Sequence, residues 1–101
     1  MNPSQFVQVV SRKCLGTQVI ASLSAAVPAS LIIPEGAVVA EIQADNGIVR
    51  CRLDAGAPTA TVGWRIDDGF LRIVDSDLAD VRLLAQSGTA TNVQIAYFDR
   101  V

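Results

Sequence analysis

A chain of 101 residues, half of them apolar and 18% charged, has enough length for one buried core and too little for two. That balance, with alanine and valine prominent, excludes a disordered chain and a long solvated helix. Eight basic against ten acidic residues give a net charge of −2, with no basic run beyond Arg12-Lys13, so no field attracts a phosphate backbone and nucleic acid is not an expected partner.

Apolar residues recur with a period near two from end to end, and no window holds a helical i, i+3, i+4, i+7 pattern, so a single all-β domain over residues 1–101 is expected. The opening "MNPSQFVQVVSRKC" lacks a charged segment followed by a long apolar core. No later run approaches the ~20 residues of a membrane span, so a soluble chain with no membrane partner is expected. "QFVQVV" (5–10) and "TQVIASL" (17–23) are the first strand candidates, with Gly16 suited to a turn between them. In "AAVPASLIIPEGA", Pro28 and Pro34 each remove a ladder donor and hold the preceding residue extended, which marks an edge strand or a connection. Leu31, Ile32 and Ile33 are expected to cap the core there.

"VVAEIQA" then runs into Asp45-Asn46-Gly47 and out through "IVRCRL". Asn-Gly supplies the positive φ angles of a tight primed turn, so a hairpin is expected. Within its second strand Val49, Cys51 and Leu53 share one face and Arg50 and Arg52 the other. After the wider "AGAPTA" connection, "TATVGWRI" and "GFLRIV" read as a second hairpin closed by Asp67-Asp68-Gly69, with Gly63 marking a bulge or a close backbone approach beside Trp64. "DSDLAD" (75–80) is a polar turn or one helical turn. "VRLLAQ", a Ser87-Gly88 turn and "TATNVQIAYF" close the series, with Val93, Ile95 and Tyr97 alternating against Asn92, Gln94 and Ala96. About eight short strands with turns at this spacing describe a β-sandwich of jelly-roll or related Greek-key type.

Catalytic chemistry finds little here. With no histidine, a base near neutral pH would have to be a perturbed carboxylate or the single lysine, Lys13, so an enzyme is not expected. Asp67, Asp68, Asp75, Asp77 and Asp80 cluster in two loops. They lack the register and distal glutamate of a calcium loop, and turn aspartates bonding their own backbone explain them, so no metal and no cofactor is expected. Cys14 and Cys51 stand in no metal or redox spacing and are read as two buried free thiols; a disulfide needs a Cα separation that sequence does not reveal. Arg50, Arg52, Trp64, Arg65 and Arg72 form the candidate interface, since arginine and tryptophan are enriched at protein contacts. The alternative is a core Trp64 with a solvated arginine face. Five aromatics are too few for a surface that stacks single-stranded nucleic acid.

"VRCRLDAGAPTATVGWRI" (49–66), "DLADVRLLAQSGTATNVQIAYF" (77–98) and "IPEGAVVAEIQADNG" resemble a family of small virion proteins of tailed bacteriophages. In that family a V-R-x-R strand, a P-T-A-T-V-G segment and a late strand ending in Tyr and an aromatic recur. The chain departs from the pattern at Leu53, where a polar residue is common, and in "IDDGFLRIV", where a tyrosine is frequent. The resemblance implies a non-enzymatic structural protein of the virion, made in the host cytoplasm. A head decoration or cement protein is the first expectation: an oligomer, with a trimer as one form, that contacts capsid or tail proteins. The alternatives are a component of the head-tail connection, tail or fibre base, or a glycan- or receptor-binding module with Trp64, Tyr97 and Phe98 as aromatic platforms. Exposed sheet edges are templates for another chain, and "MNPSQ" or "YFDRV" are candidates to add a strand to a neighbour.

Overall fold

The computed structural model describes residues 13–88 and 90–99. The expected strand at 5–10, the "MNPSQ" segment and the last two residues of "YFDRV" lie outside the described residues. Eight strands follow in chain order: β1 Cys14–Ile20, β2 Ala29–Ser30, β3 Val39–Asp45, β4 Val49–Arg52, β5 Trp64–Ile66, β6 Leu71–Val74, β7 Arg82–Ala85 and β8 Asn92–Phe98. They form two antiparallel four-stranded sheets, the first in the order β1-β8-β3-β6 and the second in the order β2-β7-β4-β5.

This order is a jelly roll. β1 and β2 pair with β8 and β7, and β3 and β4 pair with β6 and β5, so the chain makes two long hairpins, each bent across the sandwich. The β8–β3 and β7–β4 pairings join them side by side. The expected all-β sandwich is therefore the observed architecture, although several strands are only two to four residues long, shorter than their sequence runs.

Side-chain alternation builds the core as the sequence indicates. Ala40, Ile42, Ala44, Val93, Ile95, Tyr97 and Val74 point inward from the first sheet, and Val49, Cys51, Ile66, Leu83 and Ala85 answer from the second. Leu78, on a 3-10 turn over Leu78–Asp80, closes one end of this layer; Asp77 caps that turn by accepting from the Ala79 N–H at 3.2 Å. The proline-flanked segment gives only the two-residue edge strand β2. Leu31 is buried at its end and Ile33 packs against the core, but Ile32 is 74% exposed and caps nothing.

Both expected hairpins are corrected. The Asn46-Gly47 turn connects β3 in the first sheet to β4 in the second, and Asp67-Asp68-Gly69 connects β5 in the second to β6 in the first, so each is an arch between sheets. The positive φ angles are used as expected, 63° at Asn46 and 80° at Gly69, but they turn the chain across the core instead of back along its own sheet. The two arches lie side by side and are stitched together. The Asn46 N–H donates to Asp68 Oδ1 at 2.8 Å, the Gly69 N–H to the Ala44 carbonyl at 2.9 Å and the Ala44 N–H to the Phe70 carbonyl at 3.1 Å. "TATV" before Gly63 is also no strand, because Thr59 folds it into a turn through its Oγ1, which accepts from Thr61 N–H at 3.3 Å and Val62 N–H at 3.0 Å.

Candidate interaction surface

All five candidate residues fall on β4, β5 and β6, but on two different surfaces. Arg50 and Arg65 are cross-strand partners on the outer face of the second sheet, and Arg52 shares that face one pleat along. Trp64 and Arg72 belong to the inner side of edge strands, Trp64 opposite buried Cys51 and Arg72 opposite buried Ile42. They meet along the edge where β5 ends one sheet and β6 the other. There the Arg72 guanidinium lies over the Trp64 ring, 5.0 Å from its centroid. Trp64 stays 58% exposed, so the alternative of a core tryptophan is set aside.

The arginine face is not a free positive field. Arg52 forks onto Asp54, Nε to Oδ1 at 3.0 Å and Nη2 to Oδ2 at 2.6 Å, and Arg65 Nε donates to Asp67 at 2.5 Å. Both pairs are Arg-x-Asp, and residues two apart in an extended chain share a face, so the repeated motif is a sequence signal for this neutralisation. Arg50 donates from Nε to Gln86 Oε1 at 2.8 Å and from Nη1 to the Gly63 carbonyl at 3.2 Å. Arg72 is different. Among the described residues its Nε is the buried side-chain polar atom left without a hydrogen-bond partner, and the aromatic face serves the cation instead.

Sequence reasoning missed the apolar residues beside this pair. On β6, Leu71 and Ile73 project from the outer face of the first sheet, 51% and 62% exposed, and Phe70 just before them is 66% exposed. The run "FLRIV" does not reveal which parity faces out, and here the arginine takes the inner side. Among the described residues β5 and β6 are the edges of their sheets on the same side of the sandwich, and no described strand pairs with the outer ladder side of this apolar rim.

A cleft of about 500 Å³ opens next to Trp64, lined by Arg52, Leu53, Asp54, Val62, Gly63 and Trp64. Its polar wall is rigidly built. Asp54 Oδ1 also accepts the Gly56 N–H at 3.1 Å, and together with Arg52 this holds the Asp54 carboxyl down at about 2. Ala55 sits at φ 65° and donates its N–H to the Asp80 carbonyl at 2.8 Å, and Gly56 lies so close to the Arg52 guanidinium that an added Cβ would be 2.6 Å from Cζ. Gly63 makes the close approach expected of it: a Cβ there would be 3.1 Å from the Cys51 carbonyl oxygen. A smaller groove of about 320 Å³ crosses the outer face of the first sheet past Val19, Glu41, Gln43, Leu71 and Gln94.

The remaining groups offer no assembled chemistry. The reading of two buried thiols is corrected for Cys14, which is exposed on β1; Cys51 is buried, and burial pushes its thiol up to about 11 against the opposing field of Arg72. Among the described residues no three His, Cys, Asp or Glu side chains gather as a metal site. No helix among them is long and apolar enough to cross a membrane. Tyr97 is a core residue, 1% exposed, and Phe98 is half-buried, so of the three aromatic platforms only Trp64 is presented at a cleft. Comparison with known proteins finds no family model, no curated protein and no solved structure that matches this chain.

Proposed function

We propose that this protein is a non-enzymatic structural subunit of a bacteriophage particle, a head-associated decoration or cement protein that acts through protein–protein contacts and is carried in the virion. The observation that supports it most is the rim of Phe70, Leu71 and Ile73 along edge strand β6. Monomeric domains keep contiguous apolar patches small and blunt their edges with charge, whereas the outward side chains of β6 carry none. Its one charge, Arg72, is turned inward over Trp64. Such an edge is suited to a second protein surface. A second copy of the chain is the simplest occupant, because homo-oligomers close by rotation and an apolar strip is complementary to itself. The virion assignment itself rests on the sequence resemblance in 49–66 and 77–98.

Mass by light scattering after size exclusion, across a range of concentrations, tests the assembly reading. The wild-type chain is expected as a closed oligomer of fixed mass. The double variant Leu71→Lys, Ile73→Lys is expected as a monomer with an unchanged circular dichroism spectrum. A wild-type chain that is monomeric throughout and does not sediment with phage heads overturns the proposal.

A further inference from the structure

We infer that the cleft between Trp64 and the Arg52–Asp54 pair is a binding site for a neutral pyranose sugar. This goes beyond the assembly role and does not depend on it. The cleft's size, about 500 Å³, falls within the range that small ligands occupy. Its two walls differ in kind. One is the indole of Trp64 with Val62 and Leu53, and because Arg72 covers part of that ring without lining the cleft, what remains exposed is an apolar wall. The other is a fixed donor and acceptor array: the Arg52 guanidinium and the Asp54 carboxylate, locked by their fork, by the Gly56 N–H and by the close packing of Gly56 on the guanidinium.

A ligand that fits both walls needs a C–H face to stack on indole and an edge of hydroxyls that donate to a carboxylate and accept from a guanidinium. Pyranoses have this amphipathic form. The pair is also internally neutral, so the site selects against charge of either sign: a phosphate or sulfate reaching Arg52 meets the Asp54 carboxylate, and a cation reaching Asp54 meets Arg52. The array is preorganised before any ligand arrives, which lowers the entropy that binding must overcome. The Ala55 φ of 65° is the conformational cost of holding it.

Trp64 is the only tryptophan in the chain, so intrinsic fluorescence reports on this cleft alone. The experiment titrates the full-length protein with methyl glycosides of glucose, galactose, mannose and N-acetylglucosamine and their short oligosaccharides, up to roughly 100 mM, with mannitol as the non-cyclic control. A saturable shift in Trp64 emission is expected for at least one pyranoside and not for mannitol. Asp54→Asn and Arg52→Gln are each expected to weaken it by about tenfold at unchanged circular dichroism. The Leu71→Lys, Ile73→Lys variant is expected to bind the same sugar with the same midpoint, whatever its mass, which separates this site from the assembly edge. The inference fails if no pyranoside gives a saturable shift. It fails equally if the emission follows protein concentration instead of sugar, since a neighbouring chain then fills the cleft.

Discussion

At the scale of single residues, the protein keeps its titratable interior neutral. Tyr97 donates its hydroxyl to Gln18 Oε1 at 2.5 Å, and the same oxygen accepts the Ile32 N–H at 3.1 Å, so one glutamine ties β8 to the segment after β2. Burial raises Tyr97 to about 12 from its ordinary 10, as it raises Cys51 to about 11 from 9. Both shifts favour the protonated form in the folded state. Between pH 9 and 12 the unfolded chain therefore holds fewer protons, and stability falls as pH rises through that window while staying flat below it. Cys51 contributes roughly 2–3 kcal/mol to the loss when fully developed, and Tyr97 adds to it in the same direction. Urea midpoints are expected to drop steadily from about pH 9 to about pH 11, and Cys51→Ala to flatten the first part of the drop. A midpoint constant across that range would contradict the neutral interior described here.

At the scale of elements, the arches decide the fold. Gly47 has a φ of 154°, and an added Cβ would overlap Oγ1 of Thr91, which is fully buried beneath the arch. Gly69, at φ 80° in the sister arch, has open space around it. Alanine at Gly47 is therefore expected to cost about 2–4 kcal/mol, from overpacking and backbone strain together, and at Gly69 only about 1–2 kcal/mol of strain. Chemical denaturation of the two variants checks the contrast, and equal losses would show that Thr91 yields freely. These same arches mark where sequence reading stops. A two-residue hairpin at Asn46-Gly47 would place Ala44 opposite Val49, both facing inward, and in the arch both face inward as well. The apolar pattern is identical in the two cases. What separates them is the choice of partners, β8 and β6 for β3 but β7 and β5 for β4, and of these pairings only β4–β5 joins strands that follow one another in the chain. Alternation within a strand was legible, as in Val93, Ile95 and Tyr97 or in Arg50 and Arg52 against Val49 and Cys51. So were the glycine approach at Gly63 and the proline-limited edge at β2.

At the scale of the whole molecule, legibility of the site follows from legibility of edges. Trp64 occupies an inward position, and on a central strand it would be core; it is exposed because β5 ends its sheet, a property of the complete strand order and not of any local run. The Arg52–Asp54 wall, by contrast, carries a local signal, Arg-x-Asp, that the reading of these arginines as facing water or a partner passed over. The strand order has one more consequence, and it concerns time. β8, last of the strands in chain order, lies between β1 and β3 in the interior of the first sheet, with Cys14 opposite Phe98. During synthesis β1 waits without its neighbour until more than 70 further residues have emerged, so no stable part-sheet forms on the ribosome from the N-terminal side. Folding is then expected as one late, cooperative event. Nascent chains stalled before β8 has emerged should be cleaved by protease throughout residues 13–88, and chains released with β8 free should resist it. Early protection of β3 to β6 would instead show that the central bent hairpin folds first and that β1 and β8 close around it.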